Sequence, residues 1–362
     1  MVVAADARRP RLCDNARVSE PEAAGPVPAR RRRRSTVVLA GALAVVVVLA
    51  VLLFTPVLDD SLDVQMDPAS SYEDALRRAD ALRAQDGPDV NPVCRSRVDV
   101  HGSRTPRAVV LLHGYTNCPA QFAALADAYA AAGWSVVVPR LPGQGEADRL
   151  TDALSSVTPG ALVDTAEEAA DIAAGLGERV SVVGLSGGGT LAAWLAAERD
   201  DVAEATLIAP LVVPRVLPEF GVGPVSRAFR YTPDVFLWWD PAQKERLADP
   251  PYAYPRYSLR SIGAYLAVGR AAQQPPRRKT RLERLVVVTN ENDAAVSNVG
   301  VDRIGAALTL PGVEREDVVI PRATGWKHDL VDPQGENAAV IPQIYARLGP
   351  LVGLPDLARP AT

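Results

Sequence analysis

The chain has 362 residues, 48% of them hydrophobic and 23% charged, with a formal net charge of −4. That length suits one large domain with additions, and the hydrophobic share suits a globular body plus a membrane piece. The mild acidity excludes a nucleic-acid-binding surface, and no cysteine or histidine cluster has metal-ligand spacing.

The charge is unevenly placed. Residues 1–34 are rich in Ala, Pro and Arg without an apolar period, which predicts a disordered basic tail. It ends in five consecutive arginines, 30–34. Val37–Phe54 then runs 18 residues without a charge, close to the ~20 that cross a bilayer core. Arginines before it and Asp59, Asp60, Asp63 and Asp67 after it predict a cytoplasmic N-terminus and an extracytoplasmic body. A cleaved signal peptide is the competing reading. The long lead and the lack of an A-x-A site favour an uncleaved signal anchor over 35–56.

Residues 57–90 read as a linker with one short helix, 71–84, capped by Ser70 or Ser71 with Glu73 and Asp74 in its first turn. Residues 91–100 suit an early strand, and 101–107 a hairpin-like turn in which His101 is a surface residue. The unbroken apolar run in R-A-V-V-L-L-H-G-Y, 107–115, predicts a strand buried on both faces, as in a parallel sheet. A helix over 119–132, a strand over 134–139, a tight loop over 141–146 and a helix from 161 to 174 follow. Thr158 caps that last helix, with Pro159 at its start. Helices alternating with apolar strands predict an α/β sheet.

Residues 180–198 read V-S-V-V-G-L-S-G-G-G-T-L-A-A-W-L-A-A-E: a β-branched run, a serine between glycines, then helical composition. Gly184-Leu185-Ser186-Gly187-Gly188 matches G-x-S-x-G in its strand–turn–helix setting. Side chains at 184 and 188 would strike the strand or the helix, so glycine is needed there. The turn strains Ser186 and lifts its hydroxyl above a helix N-terminus that suits a developing anion. Acyl transfer also needs preset N–H donors for the oxyanion; the candidates are the N–H groups of Tyr115 and Gly187. His113 reads as a loop anchor.

Taken together, L-L-H-G-Y-T (111–116), R-L-P-G-Q-G (140–145) and G-L-S-G-G (184–188) resemble the α/β-hydrolase superfamily, in particular carboxylesterases and monoacylglycerol lipase-like enzymes. The chain departs from them at Gln144, where such proteins often carry G-H-G. The resemblance implies a mostly parallel central sheet with helices on both faces and an inserted cap. The hydrolase domain would cover 91–350, with a short tail over 351–362. It also implies a serine–acid–histidine chain order. The acid is expected in the loop after the strand 284–289, with Asp293 ahead of Glu291 as the runner-up. His328, after the strand 317–320, is the one histidine beyond Ser186 and the expected base.

Residues 211–280, rich in proline and aromatics, are expected to form the cap, with Phe236, Trp238 and Trp239 shaping an acyl pocket. Packing of the cap onto the body is the alternative role for each ring. Cys94 and Cys118 flank the oxyanion loop on the extracytoplasmic side, where disulfides persist; they read as a bridge, with two free thiols as the alternative. The expected function is a membrane-anchored, cofactor-free serine hydrolase acting on small-molecule or lipid esters. An aminopeptidase, amidase or thioesterase would use the same residues. An inactive hydrolase-like binding protein is the reading from another class.

Overall fold

A computed structural model describes residues 29–55, 62–244 and 250–357. The expectations for the tail over 1–28 and for the last residues, 358–362, lie outside these. The chain divides into two units, up to Val51 and from Leu52 onward.

Helix α1, Ala29–Phe54, contains one window, Val37–Phe54, long and apolar enough to cross a membrane, and none of that window is buried.

In the second unit, helix α2 (Tyr72–Ala84) starts at the N-cap Ser71, whose hydroxyl accepts the Asp74 N–H at 3.1 Å. It buries Ala75, Ala79 and Leu82, an i, i+4, i+7 stripe. The sheet strands are β1 (Arg97–Asp99), β2 (Thr105–Leu112), β3 (Ser135–Val138), β4 (Gly177–Leu185) and β5 (Val202–Ile208). The cap adds β6 (Phe236–Trp238) and β7 (Arg256–Ser258); β8 (Arg284–Asn290) and β9 (Glu314–Ile320) return to the sheet. Between them run α3 (Ala123–Ala131), α4 (Pro159–Leu176), α5 (Gly187–Glu198), α6 (Val222–Tyr231), α7 (Leu259–Ala271), α8 (Val301–Leu308) and α9 (Ile341–Leu351).

Seven strands form one sheet in the order β1-β3-β2-β4-β5-β8-β9, parallel except for β1. The central strands carry long buried runs such as Val109 to Leu112 and Val286 to Val288, as strands covered on both faces must. β6 and β7 pair antiparallel in a separate small sheet.

Two local readings change. The strand expected over 91–100 shrinks to Arg97–Asp99, because Asn91 caps a short 3₁₀ turn opened by Pro92. The turn after it closes no hairpin. β1 pairs with β3 instead, since both edges of β2 are taken by β3 and β4. β9 begins three residues earlier than the apolar pattern suggests. Its charged start, Glu314 to Asp317, lies along the outer edge of the sheet, where charge discourages further pairing.

The stretch ahead of the sheet is stitched onto α4. Glu167 Oε2 accepts the Gln65 N–H at 2.9 Å, and Asp171 accepts the Asp67 N–H at 3.3 Å. The buried Arg199 holds Asp171 at 2.7 Å.

Candidate active site

Four of the parallel strands lead into residues singled out in the sequence: Tyr115 follows β2, Ser186 follows β4, Asp293 follows β8 and His328 follows β9. Ser186 sits between β4 and α5 with φ 56° and ψ −117°, a region that non-glycine residues rarely occupy. Neighbouring backbone holds it in place: its N–H donates to the Ile208 carbonyl at 2.8 Å, and its carbonyl accepts from Leu211 at 3.0 Å. The flanking glycines are sterically required. A Cβ on Gly184 would lie 2.1 Å from the Gly188 carbonyl oxygen, and one on Gly188 would lie 1.9 Å from that of Leu112.

Asp293 and His328 follow β8 and β9, and the structure joins them: His328 Nδ1 lies 2.6 Å from Asp293 Oδ2. The other carboxylate oxygen accepts the N–H groups of Ala295 and Val296 at 2.8 and 2.9 Å. Burial favours the protonated acid, but the His328 bond and charge and these two N–H groups outweigh it. The Asp293 carboxyl is therefore held below the usual range. Burial works against the imidazolium of His328. The bond and charge of Asp293, with the charges of Asp329 and Glu336, overcome that and raise it. Glu291 is exposed and accepts the Arg322 N–H at 2.6 Å. Among the described residues no hydrogen bond joins the Ser186 hydroxyl to His328, a contact that is often long before substrate binds.

Two asparagines frame the histidine loop. Asn290 donates to the carbonyls of Trp326 and Lys327, both at 3.0 Å. Asn337 donates to those of Lys327 and Asp329 and accepts the Lys327 N–H. Their sequence carries no signal for this, because the partners are remote backbone groups.

The loop after β2 carries Tyr115. Neither its N–H nor that of Gly187 has a protein partner among the described residues. His113 is fully buried. Its Nδ1 lies 3.0 Å from the Gly114 carbonyl, and its Nε2 accepts the Leu141 N–H at 3.0 Å. Burial, aided by the Arg140 charge, lowers its pKa to about 4, so the ring is a neutral anchor. Gly114 N–H donates to Gln121, whose amide donates to Asp329 beside the histidine, at 2.7 Å in each case. Cys94 and Cys118 are bridged, with Cα atoms 5.2 Å apart. His101 lies in an exposed turn against the Trp134 carbonyl.

The three cap aromatics part company. Phe236 and Trp238 alternate onto one face of β6, where Arg256 covers the first ring and Lys244 the second. Trp239 turns to the loop after β2: its indole N–H donates to Thr116 Oγ1 at 3.1 Å, and its ring meets Tyr115 edge-on. Tyr265 of α7, another of the cap's rings, lies against Gly187, the residue after Ser186. A Cβ on Gly187 would come within 2.7 Å of it. No group of three or more His, Cys, Asp or Glu among the described residues could hold a metal ion.

This sheet and serine turn have a family. Residues 109–341 match the model of the alpha/beta hydrolase family, and the chain belongs to it. Over 111 residues it is 33% identical to a thermostable monoacylglycerol lipase of Bacillus sp. (strain H-257); the match spans 31% of this chain and 43% of that enzyme, less than half the relative's length. Two solved structures share the fold. One is from a study of LipS and LipT, metagenome-derived lipolytic enzymes (21% identity, TM-score 0.53, 70% of this chain and 95% of that one). The other is a soluble variant of monoglyceride lipase from Saccharomyces cerevisiae (13% identity, TM-score 0.52, 71% and 91%).

Proposed function

We propose that the protein is a serine hydrolase of carboxylic esters with apolar acyl chains. The observation that carries this reading is the 2.6 Å bond between His328 and Asp293, which follow strands of the sheet that carries Ser186 on its strained turn. With Nδ1–H donated to the carboxylate, Nε2 is left as the base. Ser186 Oγ attacks the ester carbonyl as its proton passes to Nε2. The oxyanion accepts the N–H groups of Tyr115 and Gly187, at the N-terminus of α5. The tetrahedral adduct collapses, and the departing alkoxide takes the proton from His328. Water, deprotonated by the same nitrogen, then attacks the acyl-enzyme and releases the acid and Ser186.

The likeness to a monoacylglycerol lipase and the aromatic cap support an apolar acyl group. The apolar window of α1, the arginine block before it and the bridged cysteines support a single-pass anchor with the hydrolase outside the cytoplasm. Labelling with a fluorophosphonate probe, alongside p-nitrophenyl esters and amino-acid anilides, tests the chemistry. Labelling of wild type but not of Ser186→Ala, with esters turned over faster than anilides, is expected. An unlabelled wild type would leave a binding protein, and faster anilide cleavage an amidase.

A further inference from the structure

The cap grips the loop that carries one oxyanion donor, and it does so through hydrogen bonds. The Tyr115 ring is buried and its hydroxyl enters the N-terminus of α7. There it accepts the Ser258 N–H at 2.9 Å and lies 2.5 Å from Ser261 Oγ and 3.0 Å from the Ser258 carbonyl. The phenol is thereby held on both its accepting and its donating side: it takes the Ser258 N–H, and it shares the Ser258 carbonyl with the Ser261 hydroxyl, which reaches that carbonyl at 3.2 Å. Ser258 is itself fixed, since its hydroxyl donates to Asp234 at 2.6 Å while accepting the Ser261 N–H at 3.1 Å.

The next residue is held as well. Thr116 has φ 63°, strained for a β-branched residue. Its carbonyl accepts the Tyr254 N–H at 2.8 Å, and its hydroxyl oxygen accepts the Trp239 indole N–H at 3.1 Å. Tyr265 closes the arrangement: its ring stands 5.3 Å from that of Tyr115 and lies against Gly187, and its hydroxyl accepts from Gln144 at 3.0 Å. Both proposed oxyanion donors are thus backed by side chains from the cap.

We propose that the cap acts on the chemical step: the Tyr115 phenol, pinned by Ser258 and Ser261, sets the position of the oxyanion loop. Tyr115 (through its side chain), Ser261 and Trp239 are then positioning residues, distinct from an acyl-pocket wall. The inference rests on the serine-hydrolase reading above. A wall residue changes the affinity for long acyl chains over short ones. A residue that aims an N–H at the oxyanion is felt mainly in the transition state, and to the same degree for every chain length.

The test is Tyr115→Phe and Ser261→Ala in the full-length protein, assayed on p-nitrophenyl esters from acetate to laurate. Because misplacing a reacting group by about 1 Å can cost ~100-fold, Tyr115→Phe should lower kcat about 10- to 100-fold. The factor should be equal across the series, with KM within about twofold, and fluorophosphonate labelling of Ser186 should slow by the same factor. Ser261→Ala, which keeps the two bonds between the phenol and Ser258, should follow the same pattern more weakly. If Tyr115→Phe does not fold, Ser261→Ala decides alone. An unchanged kcat, or a loss confined to KM or to long chains, overturns the inference while leaving the hydrolase reading intact. Ser186→Ala is the separate control: full turnover there would remove that reading itself.

Discussion

From Gly184 to Gly188 the backbone is set by sterics: an added Cβ on Gly184 would strike the Gly188 carbonyl, one on Gly188 the Leu112 carbonyl of the neighbouring strand, and Ser186 between them is forced to positive φ. The cap side of the same site is set at long range. Tyr115 meets Ser258 across 143 positions, Thr116 meets Trp239 across 123, and Gln144 meets Tyr265 across 121. A steric demand for glycine on both sides of one serine leaves a pattern within five residues, wherever the obstructing carbonyl comes from. Hydrogen bonds across a hundred leave none, because almost any serine or tyrosine could supply them.

That contrast is open to attack from its strongest side first. Gly188→Ala would put a methyl group 1.9 Å from the Leu112 carbonyl oxygen, so it should yield little folded protein, read as soluble yield and loss of a cooperative melt. A well-folded Gly188→Ala would mean the turn is not sterically set. Next in size is Asp293→Asn. The amide cannot accept Nδ1–H in the same way, and kcat should fall about 10⁴-fold at an unchanged melting temperature.

The bridge probes the balance between the two regions. Cys94 and Cys118 are 24 residues apart, and losing the cross-link in the double serine variant should cost about 3 kcal/mol of stability. Turnover below the melting transition should stay within about threefold, because the cap bonds still hold the loop. A large fall in kcat at unchanged stability would shift the holding role from cap to bridge. The smallest effect concerns charge alone. Glu336 contributes to raising His328, so Glu336→Gln should move the acid limb of kcat/KM to lower pH. In the parent that limb should lie above the ordinary histidine value, since a raised pKa keeps the base protonated, and inactive, to higher pH.

Much of the architecture is legible in the sequence. Helix starts at Ser71 and Thr158 follow from capping chemistry, and the buried strands from unbroken Val and Leu. Readings went astray where polar residues hid an element or where pairing was remote. The charged residues 314–317 belong to β9 because they need only one partner strand, and β1 crosses to β3 instead of folding back on β2. Phe236 and Trp238 resembled Trp239 in composition, and only the pleat of β6 and the cations over it distinguish them.

One buried ring ties the fold to its surroundings. His113 is neutral inside the protein, at about 4 against an unfolded 6.5, so the opened chain takes up a proton that the closed one refuses. The penalty on folding grows as the medium falls from 6.5 toward 4 and approaches about 3 kcal/mol at the lower end. The residue that moors the loop after β2 therefore also acts as an acid fuse, working against the folded state as the pH drops.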